Sequence, residues 1–159
     1  MSAWSEFVDD CFTDLVTNVP GLRDVLEHRY SPSDPEELTA EQGEHHLSIF
    51  PVADSAQAAT PLVTAPGGDQ LTEVYRILYW EHAGDVSARG IEDQRAWKDL
   101  LDLAEDVRDR FYKIANIGTS TAFGGSSLVR YIGAAFPDRS GQVRWFAIGV
   151  TATREITAT

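Results

Sequence analysis

The order of its periodic segments constrains this chain most. Trp4, Phe7, Val8, Cys11, Phe12, Leu15, Val16 and Val19 recur at steps of three and four, opposed by Glu6, Asp9, Asp10 and Asp14. That spacing predicts an amphipathic helix with acids toward its positive end, closed by Pro20-Gly21. Two strand-like runs follow, His46–Val52 and Leu71–His82. A longer helical stripe comes next: Trp97, Leu100, Leu101, Ala104, Val107, Phe111 and Ile114, with the favourable pair Glu105–Arg108 on its other face. The chain closes on two alternating runs, Leu128–Phe136 and Gln142–Ile156, which read as a hairpin. The expected fold is α+β in the order α-β-β-α-β-β: a mixed, mainly antiparallel sheet of about four strands against two amphipathic helices. Residues 1–159 read as one domain.

The connections carry their own signals. Leu22, Val25 and Leu26 fit a short second helical turn, with a strand as the alternative. Residues 31–44 hold two prolines, five acids and no base, the composition of an exposed loop. One helical turn started by Ser33 or Asp34 fits within it. Pro51 pushes its strand toward an edge or toward its own end. Residues 53–70 form a long Ala/Pro/Gly/Thr connection, a type that is usually functional or disordered. In Leu71–His82, Val74, Leu78 and Trp80 point one way and Tyr75, Ile77 and Tyr79 the other, so both sheet faces need cover. A helix is the expected cover on one side and a neighbouring subunit on the other. Asp93 is placed to cap the second helix, and Gly141 suits a positive φ in the closing turn. The small residues Gly133, Ala134, Ala135, Ala147 and Gly149 predict close approach of a helix or another chain.

Charge is unevenly distributed. The formal net charge is −12. Residues 1–50 carry eleven acids against two arginines, whereas residues 111–159 carry five bases against two acids. A soluble, self-repelling acidic protein is one reading, and a molecule with opposite poles suited to head-to-tail contact is the other. Clustered Lys/Arg is lacking, which disfavours sequence-specific nucleic-acid binding. No apolar run reaches the roughly 18 residues of a membrane span. The first residues lack a basic start followed by an apolar stretch, so no signal peptide is expected. The single cysteine, Cys11, falls on the apolar helical stripe and reads as a buried small hydrophobe.

Catalytic signals are weak. Gly118–Gly125 lacks the Lys-Ser/Thr of a phosphate-binding loop. Gly118–Ala122 follows a helix, where a nucleophile elbow requires a strand. Glu44-His45-His46, with His28 and His82 elsewhere, is the strongest metal suggestion. Adjacent histidines on a strand face opposite ways, however, and no ligand spacing supports a site. His45 and His46 read as solvated residues flanking a strand, and the acids 34–44 as a solvated loop. No cofactor is expected.

The arrangement as a whole resembles the tail terminator proteins of long-tailed bacteriophages. The matching pieces are the helix Trp4–Val19, the strand His46–Val52, the loop Asp54–Gln70, the strand Leu71–His82, the helix Asp93–Ile114 and the hairpin Leu128–Ile156. The acidic insertion Ser31–Glu44 and the Gly/Ser loop after the second helix depart from that pattern. The resemblance implies a non-enzymatic virion protein, made in the host cytoplasm and located in the tail or neck. It would form a ring, usually a hexamer, that caps the tail tube, stops its growth and meets the head–tail connector. DNA would pass through an acidic lumen without sequence-specific binding. The implied contact residues are Pro61, Leu62, Val63, Arg130, Arg139 and Arg144, with Glu36, Glu37 and Glu41 as complements. The alternatives are another neck component, such as a stopper or connector, and a small acidic enzyme or ligand-binding domain using His45 or His46.

Overall fold

A computed structural model describes residues 2–53, 68–83, 91–117, 128–137 and 143–157. The elements run α1 (Ala3–Asn18), β1 (Leu26–Arg29), β2 (His45–Ala53), β3 (Gly68–His82), α2 (Ile91–Ile117), β4 (Leu128–Ala135) and β5 (Val143–Thr157). They build one five-stranded sheet in the order β1-β2-β3-β5-β4. The α+β class and mixed sheet agree with the sequence reading; the strand count and order do not. The added strand is β1, which pairs parallel to β2 while all other pairs are antiparallel. The segment after α1 divides between a tight turn at Pro20–Leu22 and this strand, so both sequence alternatives are used in succession.

Helix α1 begins where the Ser2 side chain accepts the Ser5 backbone N–H at 3.1 Å, satisfying one otherwise orphaned donor. Its stripe of Phe7, Val8, Cys11, Phe12, Leu15 and Val19 is buried. Helix α2 buries Leu100, Ala104, Val107 and Phe111, but Leu101 is exposed and Leu103 takes the place expected for it. Asp93 lies inside the first turn rather than capping it, because the helix starts two residues earlier. Both helices cover one sheet face, meeting Leu47, Ile49, Tyr75, Ile77, Tyr79, Phe146, Ile148 and Val150. Tyr75 stacks on Phe7 with ring centroids 3.9 Å apart, and Tyr79 on Phe146 at 5.2 Å.

The opposite face carries Leu78, Trp80, Val143, Trp145 and Ala147. Its cover is residues 31–44, the stretch expected to be a solvated loop. Parallel neighbours such as β1 and β2 cannot be joined by a tight turn and need a crossover of a dozen or more residues. Here the crossover is this acidic strap, which seats Leu38 and Ala40 on the second apolar cluster. Four tethers hold it. Ser48 Oγ donates to Ser31 O at 3.1 Å, the Arg76 guanidinium donates to Ser33 O, and the Trp80 indole N–H donates to Thr39 O at 3.1 Å. The His82 backbone N–H donates to Glu44 O at 3.4 Å. Asp34 Oδ1 accepts the Glu36 N–H at 3.0 Å and caps the single turn Pro35–Glu37, as expected from its side chain. The chain enters the strap through Tyr30, whose φ of 62° is unusual for a bulky residue. Its hydroxyl is held by Asp9 of α1.

Pro51 is accommodated as expected. It lies beyond the residues of β2 that β1 covers, beside a register shift between Pro51 and Ala53. Strand β3 begins at Gly68, three residues before the expected Leu71. At Gly149 a Cβ would lie 3.1 Å from Ile132 Cγ1, so the close neighbour of this small residue is a side chain of the adjacent strand. Gly141 lies outside the described residues.

Candidate functional site

The sequence-derived contact residues divide into three groups. Pro61, Leu62, Val63 and Arg139 lie outside the described residues. Glu36, Glu37 and Glu41 are exposed along the strap, and Arg130 is exposed on β4. Arg144 is a correction. Only 11% of its side chain is exposed, because it is consumed inside the fold. Its guanidinium reaches Glu81 at 3.2 Å, Asp93 at 3.5 Å and the carbonyls of Ala83 and His82 at 2.9 and 3.2 Å. Arg144 therefore joins the end of β3 to the start of α2. An arginine opposite Glu81 in a cross-strand pair is drawn inward, which the alternation of β5 alone does not reveal.

Two uncovered features of the sheet remain among the described residues. The strap protects the end of the second face that carries Trp80. At the other end Val52 and Ile132 are 47% and 55% exposed, beside Arg130. Among the described residues the edge β4 reads Leu-Val-Arg-Tyr-Ile-Gly-Ala-Ala, with one charge and no proline, and its one guard against strand pairing is the register shift between Tyr131 and Gly133. The other edge, β1, is only four residues long and carries Glu27 and Arg29.

Between strap and sheet lies a cleft of about 630 Å³. His28, His46 and Trp80 form its floor, and Asp34, Glu37, Glu41 and Glu44 stand along its walls. The expectation of solvated histidines is corrected for His46, which is 8% exposed. Its ring stacks on Trp80 at 5.0 Å and 9°, and its Nδ1 lies 2.8 Å from His28 Nε2. His45 faces the opposite way, with Nδ1 3.3 Å from the Tyr79 hydroxyl, as strand alternation requires. No three His, Cys, Asp or Glu side chains among the described residues converge as metal ligands. Cys11 is fully buried, and burial, followed by nearby Asp14 and Asp10, holds its thiol well above the usual range. A thiol so placed is a packing group, not a nucleophile. What the cleft offers is recognition: an aromatic and imidazole floor, acidic walls and no lysine or arginine among its lining residues.

Burial, then the neighbouring His28, pushes the His46 imidazole down, against an opposing pull from Glu44. Because the folded state disfavours its protonation, the seat is intact above the ordinary imidazole pKa of about 6.5 and weakens as pH falls below it. Hydrogen exchange at residues 31–44, corrected for intrinsic rate, is expected to accelerate from pH 7 to pH 5 in the native protein. The acceleration is expected to vanish in His46→Gln. Equal protection at both pH values would contradict this.

No protein-family model matches this chain, and no curated protein matches it in sequence.

Proposed function

We propose that this chain is a structural, non-enzymatic virion protein of the tail-terminator kind. It forms a ring on the last layer of a bacteriophage tail tube and presents a surface to the head–tail connector. The observation that carries the reading is the pair of unlike patches on one subunit. One is the exposed acidic strap with Glu36, Glu37 and Glu41; the other is the open end of the second face and edge β4, with Val52, Ile132 and Arg130. Two different, complementary patches are what a heterologous contact needs, and a rotation that closes turns such contacts into a ring. A subunit that docks on the tube but does not recruit another tube layer would end growth. The net charge of −12 suits a lumen that repels DNA passing through it. The partners are further copies of the chain, the tube protein and the connector.

Among the described residues no helix is long and apolar enough to cross a membrane. A stopper or connector on the portal side would use the same kinds of surface, and only the identity of its direct neighbours separates it from a terminator. Sedimentation at rising concentration tests the ring. The expected result is a species of about six times the 17.5 kDa chain mass, lost at high salt as the charged contact is screened. A strict monomer at every concentration and salt would overturn the proposal.

A further inference from the structure

The chemistry of the cleft under the strap is one-sided. Four carboxylates, Asp34, Glu37, Glu41 and Glu44, line it, and Pro32, Leu38, Ala40 and Trp80 supply apolar wall. Carboxylates along a concave, partly apolar wall focus a negative potential on the space between them. The acids alone would be only a solvated group. A second, independent observation lies on the floor. His46 is 92% buried, and its Nε2 has no hydrogen-bond partner, while Nδ1 is engaged by His28. That orphaned nitrogen faces Glu44 Oε1 at 3.7 Å, too far for a hydrogen bond. Buried polar atoms are seldom left unpaired, so the vacancy marks a place where a partner belongs. In the tautomer whose proton sits on Nδ1, Nε2 and the Glu44 carboxylate are two acceptors side by side, and the complement is a positively charged group rich in N–H donors.

The space fits a side chain with an aliphatic stem and a cationic head. The stem would lie along Leu38, Ala40 and Trp80, and the head among the carboxylates. Arginine matches best, because its planar fork offers five donors to several acceptors at once. Arg23, Arg95 and Arg130 are the described arginines that are exposed and held by no ion pair, and of these Arg130 is the one on an edge strand of the sheet, in the patch that the ring reading turns toward the strap. It is exposed on the edge strand β4, and no ion pair holds it among the described residues. Arg29, Arg76, Arg108, Arg110, Arg144 and Arg154 are all engaged within the subunit.

We infer that the strap cleft is a receptor for a basic side chain, and that in the ring its occupant is Arg130 of the neighbouring copy. The choice of occupant rests on the ring reading; recognition of the cation does not. Insertion would give each copy a socket in its acidic half and a plug in its basic half. The strap, an irregular crossover in one subunit, would then be the element that reads the next.

The test has two arms. In the first, N-acetylargininamide is titrated into the isolated protein while Trp80 and the His46 ring are followed by NMR. Saturable shifts are expected with a Kd on the order of 1–10 mM, as for a single solvent-facing ion-paired side chain. N-acetylcitrullinamide, neutral at the head, should leave both signals in place, and E37Q/E41Q should weaken the arginine compound several-fold. Absence of shifts, or equal shifts with the citrulline compound, would overturn the inference whatever the oligomeric state. In the second arm, R130E is expected to lose the associated species and E37R/R130E to regain part of it. Association unchanged in R130E would remove Arg130 as the occupant and leave the ring reading standing. A protein that titrates but never associates would sink the ring reading and the Arg130 assignment together.

Discussion

Replacing Arg154 by methionine is expected to destabilise the protein by about 3 kcal/mol, because it strands a carboxylate inside the helix-covered core. Glu73 is 1% exposed, and Arg154 meets its Oε1 through two nitrogens at 2.7 and 2.9 Å. The Tyr75 hydroxyl donates to the other oxygen at 2.9 Å, so the carboxylate is fully committed. Burial, then the Glu73 hydrogen bond and charge, raises the Tyr75 phenol well above its usual range, which keeps it a donor at every working pH. The figure sits at the low end of the usual 3–5 kcal/mol for breaking a buried pair, since Arg154 keeps some contact with water. The double variant E73Q/R154M should recover at least half of the loss, because the amide still accepts from Tyr75 and carries no charge. Urea denaturation of the single and double variants measures both. A double variant no more stable than R154M would show that the arginine acts through packing alone.

Replacing Phe12 by alanine is expected to cost about 3–5 kcal/mol, the range for an aromatic removed from a close-packed core. Phe12 is fully buried on α1 and does more than fill space. The Arg29 guanidinium lies over its ring at 4.9 Å, and the same arginine pairs with Asp9 and Glu27, each at 3.1 Å. This group ties β1 to α1, and β1 has only four residues of ladder to hold it. Hydrogen exchange should therefore show β1 and the strap opening before β3 and β5 in Phe12→Ala. Phe12→Leu keeps most of the volume and should cost less than about 1.5 kcal/mol. Uniform loss of protection across all strands in Phe12→Ala would contradict the anchoring role.

Much of this architecture is legible from periodicity. The stripes of α1 and α2 and the alternation of β3 and β5 place most of their buried residues, including the opposed sets Tyr75/Ile77/Tyr79 and Leu78/Trp80, while Trp4 and Leu101 of the two stripes are exposed. Those signals come from long segments facing a single core. What escapes is non-local. Leu26–Arg29 is too short and too charged to do more than offer a strand as an alternative, and its partner lies about twenty residues away. Once β1 is recognised as parallel to β2, the acidic stretch 31–44 has to cross a face, and the half-buried Leu38 and Ala40 become its contacts. Without that pairing, two small apolar residues among five acids look solvated. His46 misleads for the same reason, since its cover comes from His28 of β1 and Trp80 of β3 and not from its own strand. Arg144 looks like a free surface cation until Glu81 and Asp93 are brought to it by separate elements. In the candidate site, the carboxylates were legible as a group. The orphaned imidazole nitrogen that gives them a direction was not.

Capping can be measured directly by adding the purified protein to polymerising tail-tube protein and recording tube lengths by electron microscopy. The account predicts shorter tubes as the added protein increases, each carrying one ring of it at a single end. Unchanged lengths, with the protein left free in solution or bound along the tube wall, would contradict it.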